Sequence, residues 1–203
     1  YSIQLSKLFY ERFINNEDIT LFSPHEVPEL YETWGTDEFD DLYLKAERKI
    51  SVKKTKVNAQ ELFFDMLKER AETGRIYIMN IDHCNTHSSF KDRVYMSNLC
   101  QEITLPTDPV QHIDGSGEIA LCILSAINVG TIDKRDELES LCDLAVRSLD
   151  EIIDHQHYPV EAAKISTEKR RSLGIGYIGL AHYLAKKGYT YEQKLGWRQV
   201  DKL

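Results

Sequence analysis

Asn98, Cys100 and Glu102 stand at alternate positions in the string SNLCQEI. In an extended backbone alternate side chains project to one face, so this stretch would present an amide, a thiol and a carboxylate together. That set joins a hydrogen-bonding group, a redox-active sulfur and a general base, which an enzyme site could use directly. The same spacing also suits one wet face of a strand, with the thiol serving as a small apolar side chain. A second cluster, His83-Cys84-Asn85-Thr86-His87, brings three metal-ligand types within five residues. No fourth ligand pair is visible, and an imidazole near a thiol also permits a nucleophilic cysteine. Substrate contact and plain loop hydrogen bonding are the other readings of this cluster.

Cys122 lies in the apolar string IALCIL, and Cys142 on a helical pattern with Leu138, Leu141 and Ala145; core packing is expected for both. The string GIGYIG at 174–179 matches the dinucleotide fingerprint in form only. Its glycines fall within an apolar strand pattern rather than in a turn after one, and no acidic residue follows at a clear strand end. The basic residues Lys49, Lys53, Lys54 and Lys56 read as a solvated loop rather than a phosphate contact.

These residues need a scaffold, and the chain has the means to build one. Its 203 residues are 42% hydrophobic and 29% charged, a globular composition that excludes disorder as the main state. A net charge of −8 repels a polyphosphate backbone, so nucleic acid is not expected as a partner. The uncharged run from Ile119 to Ile132 has 14 residues, too few to span a bilayer, and no membrane association is expected. The opening residues carry Lys7, Glu11 and Arg12 and do not form a signal peptide, while Cys84, Cys100, Cys122 and Cys142 have neither zinc-ribbon nor secreted-scaffold spacing. Four reduced thiols in a cytoplasmic protein are expected.

Periodicity predicts helices over 3–16, 37–49, 58–74 with Asn58 as cap and Gly74 as stop, 133–153, and 180–187 ended by Gly188. Strands are predicted at 76–79, at 119–129 and at 173–178, with 99–105 a strand or extended loop. Residues 29–34 and 49–56 are expected as connections, 82–93 as a long loop, and 105–117 as a turn region. Strands separated by helices point to a parallel α/β arrangement.

Five ordered blocks carry a wider likeness: LFSPHEVPELYETWG, ETGRIYIMNIDHCNTHSSF, SNLCQEITLP, GEIALCILSAINVG and RRSLGIGYIGLAHYLAKKG. With them, the chain from about 21 to 191 resembles the catalytic large subunit of class I ribonucleotide reductases, especially the bacterial and phage type. The resemblance implies an α/β fold, part of a ten-stranded α/β barrel of two parallel five-stranded halves with a central finger loop, preceded by a helical segment. It divides the chain into a mainly helical segment at 1–75, the central part of the barrel with its finger loop at 76–190, and a divergent tail at 191–203.

The resemblance implies that Cys100 becomes a thiyl radical abstracting the 3′ hydrogen of a ribonucleotide, that Glu102 is the base for the 3′-hydroxyl, and that Asn98 holds the ribose. Cys122 matches one member of the redox-active cysteine pair, whose partner lies outside this chain. No cofactor or metal is expected on the segment itself. A metal-containing small subunit would supply the radical, and ATP and dNTP effectors would bind elsewhere. Implied partners are the remaining large-subunit segments or a second large-subunit chain, the radical-generating small subunit, thioredoxin or glutaredoxin, and a ribonucleoside diphosphate substrate. The alternative reading is a non-catalytic structural or regulatory fragment that binds reductase subunits. A third, a zinc or thiol hydrolase built on His83, Cys84 and His87, predicts bound metal or a reactive Cys84.

Overall fold

The computed structural model describes residues 2–112 and 115–203, so the expected turn region over 105–117 lies partly outside the described residues. The chain packs as two compact units, Tyr1–Thr107 and Asp108–Leu203. This division reflects packing density and is separate from the assignment of segments at 1–75, 76–190 and 191–203.

In the first unit, strand β1 (Ser2–Leu5) leads through Ser6 into helix α1 (Lys7–Ile14). The single helix expected over 3–16 is therefore two elements. The Ser6 side chain accepts from the Phe9 amide at 3.3 Å and caps α1, which frees Ile3 and Leu5 to enter a ladder. Strand β2 (Asp18–Phe22), helix α2 (Pro28–Glu32) and helix α3 (Asp37–Arg48) follow. The α2 helix occupies the stretch expected as a connection, with Pro28 where helices tolerate proline, in the first turn.

Strand β3 (Lys54–Asn58) pairs antiparallel with β2, from Asp18 opposite Asn58 to Phe22 opposite Lys54. The lysine-rich stretch is thus partly a strand, not only a loop. Lys54 Nζ donates to the carbonyls of Glu47 and Lys49, both at 2.6 Å, so one of the lysines caps the end of α3. Helix α4 (Ala59–Thr73) runs as its caps predict. The Asn58 side chain accepts from the amides of Gln60 and Glu61, and Gly74 takes the left-handed conformation at φ +67°.

Strand β4 (Tyr77–Asn80) lies parallel to β1, with Ser2 opposite Tyr77, and runs directly into helix α5 (Ile81–Thr86). The first part of the expected long loop is therefore helical. Leu8, Phe9, Phe39, Tyr43 and Ala59 lie at the centre of this unit's core. Beside it, Arg12 and Glu47 pair at 2.6 Å, Thr20 Oγ1 donates to Glu47, and the Tyr43 hydroxyl donates to the Thr20 carbonyl at 2.8 Å. Burial pushes the Tyr43 phenol up to about 12, so it stays a donor.

In the second unit, strand β5 (Ile123–Asn128) begins later than expected. It is followed by a 3-10 turn (Val129–Thr131), helix α6 (Arg135–His155), helix α7 (Glu161–Arg170), strand β6 (Leu173–Ile178), helix α8 (Leu180–Lys186) and helix α9 (Lys194–Asp201). β5 and β6 pair in parallel from Ile123 opposite Leu173 to Asn128 opposite Ile178. Their buried side packs Ile123, Leu173 and Ile175 on Leu149 and Ile153 of α6.

In GIGYIG, Gly174 and Gly176 belong to β6, whereas Gly179 turns at φ +76° against Asn128 and Gly130, where a Cβ would collide. Gly179 serves close backbone approach, and the two glycines within β6 form no turn that could cradle a phosphate. Among the described residues the sheets are three two-stranded ladders, two parallel and one antiparallel. The class is mixed α/β, and no closed barrel is present among them.

Candidate functional site

The segment carrying Asn98, Cys100 and Glu102 is not an extended strand. The Gln101 amide donates to the Asn98 carbonyl at 3.2 Å, closing a turn, and the Ile103 amide donates to Asn98 Oδ1 at 3.1 Å. The return bond from the Asn98 amide to the Ile103 carbonyl is 3.4 Å. Asparagine competes well for nearby backbone amides, and here that preference overrides the alternating pattern. Gln101 pays with a left-handed backbone at φ +66°, and its side-chain nitrogen Nε2 is buried without a partner.

Asn98, Cys100 and Glu102 are all exposed on this turn. Asn98 uses its carbonyl oxygen to hold the turn, leaving the amide hydrogens available to a ligand. The structure thus brings these three residues together on a tight loop instead of a flat strand face.

Four side chains tether the segment. Val94 exchanges two hydrogen bonds with Asn85 of α5, at 2.8 and 3.0 Å. Gln4 of β1 donates to the Tyr95 carbonyl at 3.0 Å while accepting from Trp34 Nε1 at 2.6 Å. Ser2 Oγ donates to the Leu99 carbonyl, next to Cys100, at 3.0 Å. The Arg93 guanidinium donates to the carbonyls of Glu32 and Trp34 and lies 4.6 Å over the Tyr95 ring. Asn85 fits the loop hydrogen-bonding reading of its cluster, whereas sequence reasoning missed Ser2, Gln4 and Arg93, because bonds across 59 to 97 residues leave no local signal.

A cavity of about 590 Å³ opens at the end of β4, lined by Asn80, His83, Cys84, His87 and Phe90 and, from the turn side, by Gln101 and Thr104. The α5 helix places His83 and His87 one turn apart with rings 5.5 Å between centroids. Among the described residues no group of three or more His, Cys, Asp or Glu side chains is arranged to hold a metal ion. Cys84 is half-buried, and burial pushes its thiol up, away from the reactive thiolate. Both features weigh against the hydrolase reading.

Cys122 and Cys142 belong to the second unit, and both are exposed rather than in the core. Cys122 lies one residue before β5, outside the buried face that starts at Ile123. Among the described side chains of α6 only Leu149 and Ile153 are buried, so the apolar stripe that suggested a covered Cys142 is covered only toward its end. None of the four cysteines is in a disulfide.

A family model described as "Ribonucleotide reductase, barrel domain" matches residues 1–202, beyond the 21–191 suggested by the motif blocks and including the tail expected to diverge. The ribonucleoside-diphosphate reductase subunit alpha of Haemophilus influenzae is 57% identical over 197 residues, and the ribonucleoside-diphosphate reductase 1 subunit alpha of Escherichia coli 54%. The ribonucleoside-diphosphate reductase large subunit of Plasmodium falciparum is 37% identical over 201 residues. The alignments cover 94% to 95% of this chain but only 24% to 26% of those relatives, so the chain spans about a quarter of their length. The chain belongs to the ribonucleotide reductase family, in its barrel domain.

Proposed function

We propose that this chain is the part of a ribonucleoside-diphosphate reductase catalytic subunit that carries the radical cysteine, and that it acts together with the remaining segments of that subunit. The observation that carries the reading is the family match over 1–202, which includes the exposed turn bearing Asn98, Cys100 and Glu102. The parallel pairs β1–β4 and β5–β6 would then be parts of the two halves of a ten-stranded barrel, with 98–103 as the tip of its finger loop.

In this reading the amide hydrogens of Asn98 bond a ribose hydroxyl and Glu102 accepts the 3′-hydroxyl proton. Cys100, once oxidised to a thiyl radical by a metal-containing small subunit, takes the 3′ hydrogen and returns it at the end. The 2′-hydroxyl leaves as water. Two thiols, Cys122 and a cysteine outside this chain, supply two electrons and two protons and become a disulfide, which a thioredoxin or glutaredoxin reduces again. Effector nucleotides would act through other parts of the subunit. The reaction belongs to cytoplasmic deoxyribonucleotide synthesis.

The test is ribonucleoside diphosphate reduction by the chain combined with the missing large-subunit segments and a radical-generating small subunit. Turnover that Cys100→Ser abolishes is the expected result. A well-formed complex without turnover favours a structural or regulatory fragment.

A further inference from the structure

Glu118 is a carboxylate with only 4% of its surface exposed. Arg170 Nε donates to its Oε2 at 2.5 Å and Lys169 Nζ to its Oε1, both cations coming from the last turn of α7. Its own amide donates to the Asp108 carbonyl at 3.0 Å, and the next amide, of Ile119, donates to the Ala162 carbonyl in the first turn of α7 at 3.1 Å. The chain is thus fastened to both ends of one helix at 118–119. It is fastened again at Ile123, which enters the ladder opposite Leu173. Ala120, Leu121 and Cys122 form the short span between these two anchors.

A buried carboxylate has few places where its charge is compensated, so the two cations fix Glu118 more sharply than apolar packing would. The Cys122 thiol is exposed, and the backbone that carries it runs between the anchors at 118–119 and at Ile123. Disulfide exchange needs the two Cβ atoms within about 4 Å and the sulfurs correctly aimed, so a loosely held strand entry would slow it. We propose that Glu118, through Lys169 and Arg170, is a positioning residue for the Cys122 thiol. Its functional meaning rests on the reading of Cys122 as half of the redox pair.

The test uses the full chain carrying a nitroxide on Cys122, with Cys84, Cys100 and Cys142 replaced by Ser, followed by electron paramagnetic resonance. Glu118→Gln is expected to shorten the label's rotational correlation time at least about twofold, while a label on Cys142 in the matching background keeps its spectrum. Lys169→Met, at the more exposed partner, gives a smaller shift in the same direction and serves if Glu118→Gln does not fold. An unchanged Cys122 spectrum overturns the proposal, as does equal mobilisation at both sites, which would mean general loosening. Cys122→Ser in the reconstituted enzyme tests the redox reading separately: sustained turnover would remove that reading and leave the spectroscopic result standing.

Discussion

The Cys100 turn is closed by neutral hydrogen bonds from a single asparagine and tethered by amide and hydroxyl side chains and by the Arg93 guanidinium, all bonding neutral backbone groups, whereas the span before Cys122 is anchored by a buried carboxylate between two cations. Neutral bonds hold a loop at modest net energy and permit it to flex. The ion-paired anchor is stiffer, and removing one partner unbalances the charge around a buried carboxylate. The contrast suits the two proposed roles: a radical residue reached by substrate at the tip of a loop, and a thiol that must meet a second sulfur in fixed geometry.

Breaking the comparison at the turn has the largest expected effect. Cys100→Ser reduces ribonucleotide turnover in the reconstituted enzyme to background, and Glu102→Gln lowers it by roughly 10²–10⁴-fold, the usual worth of a general base. Near-normal initial rates in either variant would falsify the assigned roles. Next, Glu118→Leu destabilises the second unit by about 3 kcal/mol, because it removes the buried carboxylate that Lys169 and Arg170 both bond. Asn98→Ala removes one neutral acceptor and costs only about 1 kcal/mol, confined to the turn. Denaturant unfolding checks the first value and hydrogen exchange at the Ile103 amide the second.

Acid sharpens the difference. Burial pushes the Glu118 carboxyl up, but hydrogen bonds and charge from Arg170 and Lys169 outweigh this and hold it below the usual range. Its stabilising contribution is therefore complete above the ordinary glutamate pKa and is lost as pH falls through the lowered folded value. Unfolding followed from about pH 5 downward should show a steeper loss for the wild type than for Glu118→Leu. Parallel curves would mean that the pair adds nothing. An effect of the same size and opposite sign is expected at Gln101, where Gln101→Gly relieves the left-handed backbone and raises stability by about 1 kcal/mol, visible as a higher denaturant midpoint.

Helices α3, α4, α6 and α8 were legible because their apolar spacing and their caps, Asn58 and Gly74 above all, act within a few residues. Strands β4 and β6 were legible from short apolar runs. The break at Ser6 was not, since Ile3 and Leu5 fit a helix stripe as well as a ladder, and only pairing with β4 decides between them. The chemical identity of the Asn98, Cys100 and Glu102 set could be read directly, but its geometry could not. The alternating pattern predicts a flat face, and one side-chain acceptor folds it into a turn. Glu118 stood in the sequence only as the charge bounding an apolar run, because the cations that hold it lie some fifty residues on.

The ladder between β1 and β4 pairs Ser2 with Tyr77, and so closes a loop of roughly seventy-five residues. Such distant pairings form slowly, after helices and local turns have assembled. The turn at 98–101 needs only its own residues, yet Ser2 and Gln4, which fasten its flanks, arrive with β1. A partly folded chain therefore has the turn without its seat. The Cys100 thiol is therefore expected to be seated near the end of assembly, and under its proposed role the order of folding would delay the moment at which that thiol can act.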